Sequence, residues 1–303
     1  MQASRSYPEI LAQLSASSVS KHFDAYADIE WDAAEHSIDP EDPRFELTPD
    51  DPLEETDWYR GLPQPTRARL GLYLMATMMK TGIQFEAILS RGLLELSSTL
   101  PNGSPEFRYA YHELIEEGQH SLMFQEFINR TRLDVTGMSA LEVVGSRHVP
   151  RLGRVFPERL LIHVIAGEWP IDHVQRTALA RERLHPLLRR IMHIHVIEEA
   201  RHLCFAARYL EEHVPRLSPR RLSTLRIVTP FILKTTATTM MRVPPSVVRE
   251  FRIPHSAVRQ AHTSARQQTR IIGGLRPVHS LAVQLGIVTS RTETLWRRLR
   301  VLA

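Results

Sequence analysis

Cysteine is almost absent from the 303-residue sequence, which contains Cys204 alone. A single thiol excludes an internal disulfide framework and any zinc or iron–sulfur site built from the cysteines of one chain. This usage favours a reducing compartment, and we predict a cytoplasmic protein. The N-terminus lacks an apolar leader, and the most apolar stretch, residues 225–241, is interrupted by Arg226, Pro230 and Lys234. We therefore expect no signal peptide, no membrane span and no membrane partner.

Glycine is also scarce, at 13 residues against 20 prolines. This balance disfavours sheets joined by tight glycine turns and favours helices. The sequence contains no GxGxxG motif, no Walker loop, no GxSxG motif and no HExxH motif. It therefore lacks the signatures of dinucleotide-binding folds, P-loop proteins, α/β-hydrolases and the common zinc proteases. We predict an all-α protein.

The net charge of +4 is unevenly distributed. Residues 1–60 are rich in acids, whereas the C-terminal third is rich in arginine and contains few acids. A basic region can indicate nucleic-acid binding, but these arginines are dispersed and have few aromatic neighbours. We expect them to pair with acids of the same chain or of a second subunit, which leaves a homodimer open, and we expect no nucleic-acid partner.

Four long segments show the apolar periodicity of helices, and each begins near a proline, which the first turn of a helix tolerates. They run from Thr66 to about Leu100, Pro105 to about Arg130, Pro157 to about Arg183, and Pro186 to about His213. Their lengths suit a ferritin-like four-helix bundle with additional C-terminal helices. We predict a single domain with three parts: an acidic N-terminal arm (1–60), a four-helix core (61–215) and a basic helical part packed on that core (216–303).

One short motif is a candidate for chemistry. Glu-x-x-His occurs three times, at Glu117/His120, Glu182/His185 and Glu199/His202. The middle copy lies in a charged stretch that ends at a proline, and we interpret it as a solvated helix end. The other two copies lie within long helical segments, where residues three apart share one face and can offer a carboxylate and an imidazole to the same ion.

The two remaining long segments each carry one glutamate in an apolar setting, Glu86 and Glu168. Either residue alone would also fit an exposed glutamate, but a buried unpaired carboxylate is costly and favours a cation. In chain order the four helices supply Glu, Glu-x-x-His, Glu and Glu-x-x-His. This order is typical of the dinuclear carboxylate sites of ferritin-like bundles. Oxygen and imidazole ligands suit iron, manganese or zinc, and ligand type does not separate iron from manganese.

A further histidine lies on the same helix face as the second motif. His195 precedes Glu199 by four residues and His202 by seven, whereas its neighbour His193 points to the far side of the helix. We therefore expect His195 to face the metals.

The motif pair and the spacing of His195, Glu199 and His202 resemble the AurF-like di-iron N-oxygenases (p-aminobenzoate N-oxygenase-like) over residues 66–213. The resemblance implies oxidation of an aryl amine to hydroxylamine, nitroso or nitro products by a peroxo-diferric oxidant. Dioxygen would be the co-substrate, the amine would be a small molecule, and an external electron donor would restore the ferrous state. The implied ligands are Glu86 and His120 on one iron, Glu168, His195 and His202 on the other, and Glu117 and Glu199 bridging the two.

The charges of this ligand set are consistent with a ferrous pair, because four glutamates balance two Fe(II) ions and three neutral histidines add no charge. Groups outside the ligand set stay unassigned. Asp172, Glu116 and Glu198 fit either an outer layer of hydrogen bonds or the surface. An arginine of the C-terminal part could pair with a substrate carboxylate, but the sequence does not select one. Apolar positions near the ligands are expected to be core: Met78, Met79, Gly82, Phe85, Leu89 and Trp169.

Other functions remain open at this stage. A soluble desaturase or hydroxylase and a ribonucleotide reductase subunit are also oxygen-activating di-iron proteins. The desaturases lack the third histidine, and the region after His120 contains no tyrosine to carry a stable radical. A ferritin-like iron-binding protein is the non-enzymatic alternative, but it is usually a shorter chain. A metal-free bundle is disfavoured, since it would leave four inward carboxylates without partners.

Overall fold

The computed structural model describes residues 5–301. Of the chain, 72% is helical, and no strand occurs among the described residues, which confirms the all-α prediction. The helices, numbered in chain order, are α1 (Tyr7–Ser20), α2 (Asp57–Arg60), α3 (Gln64–Ser97), α4 (Pro105–Thr131), α5 (Ala140–Ser146), α6 (Leu152–Val155), α7 (Pro157–Leu179), α8 (Pro186–His213), α9 (Pro219–Met241), α10 (Pro245–Glu250), α11 (His255–Thr263), α12 (Ala265–Gln284) and α13 (Glu293–Arg298).

The four longest predicted segments correspond to α3, α4, α7 and α8. A proline occupies the first turn of each of these helices, where its missing N–H has no helical partner to lose. Helix α4 ends at Arg132, whose φ of 57° is left-handed and stops the helix. Helix α7 ends four residues before the predicted boundary, at Leu179 rather than near Arg183.

The bundle forms from two helix pairs, α3 with α4 and α7 with α8, which also contact each other through α4 with α8 and α3 with α7. Between α3 and α7 the approach is very close. A Cβ atom at Gly167 would lie 2.1 Å from the ring of Phe85, so glycine is required at this position. Because Phe85 and Gly167 directly precede Glu86 and Glu168, this contact holds the two glutamates at the same level of the bundle.

The remaining helices cover the bundle from two sides. Helix α1 packs on α4 and α8, while α9 and α12 pack on α7. Most of the segment between α1 and α3 has no regular helix, as the prolines and aspartates of residues 39–52 predict. None of the helices among residues 5–301 combines the length and the apolar character needed to cross a bilayer.

Ion pairs connect the acidic N-terminal segment to the arginines of α12. Arg266 lies 2.8 Å from Glu54 and 3.3 Å from Glu55, and Arg270 lies 3.3 Å from Asp51. The expected pairing of acidic and basic segments thus occurs within one chain. The division into arm, core and C-terminal part stays a prediction.

Candidate metal centre

Seven residues that the sequence proposes as metal ligands converge inside the four-helix bundle. All are buried, with between 0% and 3% of each residue exposed. Helix α3 supplies Glu86, α7 supplies Glu168, and α4 and α8 supply the other members: Glu117, His120, His195, Glu199 and His202. The structure therefore brings together every residue of the predicted set. Their role as metal ligands stays a prediction.

The two Glu-x-x-His motifs face each other across α4 and α8. Within each motif the histidine Nδ1 lies 3.1 Å from a glutamate oxygen, in His120 with Glu117 and in His202 with Glu199. The two motifs also contact each other, since His202 Nδ1 is 3.3 Å from Glu117 Oε1 and His120 Nδ1 is 3.5 Å from Glu199 Oε1. One ligand atom from each of these four residues falls within 4.8 Å of the others, which is close enough to surround one ion.

His195 of α8 lies next to the glutamate that α3 supplies. Its Nε2 atom lies 3.7 Å from Glu86 Oε1 and 3.8 Å from Glu199 Oε1. It belongs to two compact groups, one with Glu86 and His120 and one with Glu168 and Glu199. His195 therefore lies close to Glu86, Glu168 and Glu199 at once, and the division of the ligands between two ions stays a prediction. His193 is exposed, as its position on the helix predicts.

Behind the histidines, a second layer of charged residues crosses between α4 and α8. His120 Nε2 lies 3.0 Å from Glu198 on α8, and His202 Nε2 lies 2.8 Å from Glu116 on α4. The Arg201 guanidinium lies 2.8 Å from Glu116 and 3.4 Å from Glu198. When each Nε2–H donates to a carboxylate, the Nδ1 lone pair of the same ring faces the cluster and is free to bind a metal.

Sequence reasoning left Glu116 and Glu198 unassigned and missed Arg201. The signal was present in the repeat, because both motifs read Glu-Glu-x-x-His, at residues 116–120 and 198–202. Asp172, the third unassigned candidate, pairs with Arg176 at 2.8 Å. A fourth acid, Glu113, lies one turn before Glu117 and is 1% exposed, and its Oε2 has no hydrogen-bond partner within the described chain.

The interpretation of Glu182/His185 as a solvated helix end is right for Glu182 and wrong for His185. Glu182 is exposed, but His185 is fully buried. The imidazole of His185 stacks on Phe45 with 4.7 Å between ring centroids, and its Nε2 lies 3.2 Å from the carbonyl oxygen of Ser37. The N-terminal segment folds back over the start of α8, and a reading of the local charges does not reveal this long-range contact. His185 does not join the cluster.

Burial and neighbouring charges shift the pKa values of the cluster residues strongly. Burial raises the pKa of Glu86 and of Glu168 well above the usual range, and neighbouring carboxylates raise both values further. Burial also raises the pKa of Glu199. Burial lowers the pKa of His195 well below its usual value, and the nearby His120 lowers it further. His195 is thus held neutral, the form that binds a metal.

The donor set itself fits a pair of metal ions. Glu86 Oε2 and Glu199 Oε2 are buried and have no hydrogen-bond partner within the described chain. Such carboxylate oxygens are costly in a protein interior unless a cation compensates them. Four carboxylates and three imidazoles, without a thiolate, suit iron or manganese. Two divalent ions would neutralise the four carboxylates.

A cavity of about 610 Å³ lies against one side of this cluster, where it is lined by Glu86, Glu168 and His195. Phe124 also lines it and packs against His195, with 5.2 Å between ring centroids. Phe124 lies one turn after His120, where a radical-bearing subunit would need a tyrosine. Of the six positions expected to be core, four also line the cavity, namely Met78, Met79, Gly82 and Phe85, and of these Met79 and Phe85 are buried members of the hydrophobic core.

Comparisons with known proteins extend the resemblance beyond the four core helices. The family model described as P-aminobenzoate N-oxygenase AurF matches residues 4–286. The uncharacterized proteins Rv0885 of Mycobacterium tuberculosis and Mb0909 of Mycobacterium bovis are each 34% identical over 297 residues, which covers 97% of this chain and 87% of each relative. No protein of solved structure matches significantly. The chain belongs to the AurF family, a family of di-iron oxygenases.

Proposed function

We propose that this protein is a non-haem di-iron N-oxygenase that oxidises the nitrogen of an amine, specifically an aryl amine, to a hydroxylamine, nitroso or nitro product. The observation that carries the proposal is the position of the cavity. It reaches three of the seven predicted ligands, Glu86, Glu168 and His195, and so gives a small molecule access to one side of the cluster. The presence of His195 among them favours this family over the desaturases.

In this proposal the seven residues would hold two ferrous ions. The ions, when bound, supply the activation of dioxygen, using electrons from an external donor. For the first oxidation, one amine, one dioxygen, two electrons and two protons give one hydroxylamine and one water. The protein binds the ions, orients His120 and His202 through Glu198 and Glu116, and admits the amine from the cavity side.

The two sides of the cluster have different tasks. Arg201, Glu116 and Glu198 are buried, with at most 7% of each residue exposed, and they close the side of α4 and α8 that faces away from the cavity. Apolar side chains of Phe85 and Phe124 flank the open side. A substrate that enters by the cavity would therefore contact apolar side chains next to the cluster.

The direct test uses protein reconstituted anaerobically with ferrous iron and exposed to isotopically labelled dioxygen with a panel of aryl amines. We expect hydroxylamine, nitroso or nitro products that carry label from dioxygen, detected by mass spectrometry. Iron-free protein is the control and should give no product. Consumption of dioxygen without N-oxidation of any amine would contradict the proposal, and desaturation of an acyl chain would favour the rival enzyme class.

A further inference from the structure

The cavity is large compared with a single aromatic ring. A cavity of about 150 Å³ accommodates benzene, whereas this one measures about 610 Å³, within the range of sites that bind drug-sized molecules. It extends from Glu86 and His195 past the ends of α9 and α11 to residues 45–52 of the N-terminal segment. A one-ring amine placed at the metals would leave most of this space unfilled.

The lining is mainly apolar and adaptable. Six of the nine methionines of the chain contribute to it: Met75, Met78, Met79, Met192, Met240 and Met241. Methionine is unbranched and polarizable, and it packs well against irregular apolar shapes and aromatic rings. Phe45, Phe85 and Phe124 add aromatic surface. These side chains favour a ligand with an extended apolar body.

The arginines that line the cavity are not free to bind an anion. There are three, and each contacts a carboxylate within the described chain. Arg270 pairs with Asp51 at 3.3 Å, and Arg266 pairs with Glu54 at 2.8 Å. The third pair joins Arg242 to Glu142 at 2.9 Å.

The lining contains no lysine. Outside the metal cluster it contains as many acidic residues as arginines, three of each, and the acids are Glu46, Asp50 and Asp51. Burial lowers the pKa of His262, and its neighbour Arg242 lowers it further, so this imidazole is neutral at pH 7. A substrate carboxylate would have to displace an existing ion pair.

We infer that the cavity binds an uncharged amine with a bulky apolar body of more than one ring, and that ion pairs to the arginines of α12 disfavour amines that carry a carboxylate. This inference rests on the proposed function for the fate of the amine nitrogen, but the binding preference is independent of turnover. It replaces the expectation that a C-terminal arginine pairs with a substrate carboxylate.

The test uses three amines that share one ring: 4-aminobenzoate, its ethyl ester and its benzyl ester. Binding is measured by calorimetry under anaerobic conditions with iron-free and with iron-loaded protein. We expect the benzyl ester to bind most tightly and 4-aminobenzoate most weakly, with about a tenfold or larger difference in Kd between them. Equal affinities, or tighter binding of 4-aminobenzoate, would overturn the inference.

A substitution tests the role of the ion pairs. Asp51→Asn removes the negative charge beside Arg270, and we expect the ratio of Kd for 4-aminobenzoate to Kd for the benzyl ester to fall about tenfold. Asp39→Asn is the matched control, because both aspartates accept a hydrogen bond from the backbone N–H two residues later, but Asp39 has no arginine partner among residues 5–301. An unchanged ratio in folded Asp51→Asn protein would contradict the role of the ion pair.

These outcomes are separable from those of the proposed function. Tight binding of the benzyl ester without N-oxidation would refute the N-oxygenase but support the binding preference. Efficient N-oxidation of 4-aminobenzoate together with weak binding of both esters would do the reverse. The wild-type ligand series alone decides the binding preference even where Asp51→Asn does not fold.

Discussion

Replacement of His195 by alanine is expected to reduce iron binding from two ions to about one per chain and to lower N-oxygenation about 100-fold or more. The Nε2 atom of the imidazole lies 3.7 Å from Glu86 and 3.8 Å from Glu199, and alanine would offer no ligand atom at this position. The measurements are metal analysis after anaerobic reconstitution and the initial rate of product formation.

His193→Ala is the matched control for this variant. His193 lies on the same helix, two residues earlier, but its side chain is exposed and makes no contact with the cluster. We expect it to bind iron and form product at rates within about twofold of the parent protein. Equal losses in the two variants, or normal iron content in His195→Ala, would contradict the placement of His195 at the metals.

Replacement of Arg201 by methionine is expected to lower the free energy of unfolding by about 3–5 kcal/mol. The guanidinium is buried between Glu116 and Glu198, which are themselves 3% and 0% exposed. Without it, Glu116 keeps its contact with His202, and Glu198 keeps its contact with His120 and a 3.3 Å hydrogen bond from the backbone N–H of Phe23, but neither carboxylate has a positively charged arginine beside it. The measurement is urea unfolding of the iron-free protein, so that the effect on the fold is separated from metal binding.

The control for Arg201 is Arg208→Met in the same helix. Arg208 pairs with Glu211 at 2.5 Å, but its side chain is 47% exposed. An exposed ion pair contributes at most about 1 kcal/mol, so this variant should unfold near the parent midpoint. If both arginine variants unfolded at the same urea concentration, the buried ion pairs of Arg201 would not stabilise the fold more than an exposed pair does.

Local sequence signals were sufficient for the helices and for the inner cluster. Prolines mark where α4, α7 and α8 begin, and such boundaries depend on nearby residues of the sequence. Helical periodicity places His195, Glu199 and His202 on one face of α8 without knowledge of any other helix. For this reason the seven residues of the cluster could be named before the fold was known.

The outer layer and the cavity depend on contacts between distant segments, which periodicity does not contain. Glu198 lies about 100° around the helix from Glu199, and only the packing of α4 against α8 brings it to His120. The cavity is built from α3, α4, α7, α8, α9, α11, α12 and residues 45–52, and the partners of Arg266 and Arg270 come from the N-terminal segment. No pattern along the chain indicates which arginine is already paired.

We propose that seven side chains of this protein hold two iron ions side by side. A crystal structure of the anaerobically iron-loaded protein, with anomalous data collected at the iron edge, would show the positions of both ions. We expect two iron peaks about 3.5–4 Å apart, with Glu117 and Glu199 between them and His195 bound to one of the ions. A single peak, or iron bound away from these residues, would contradict it.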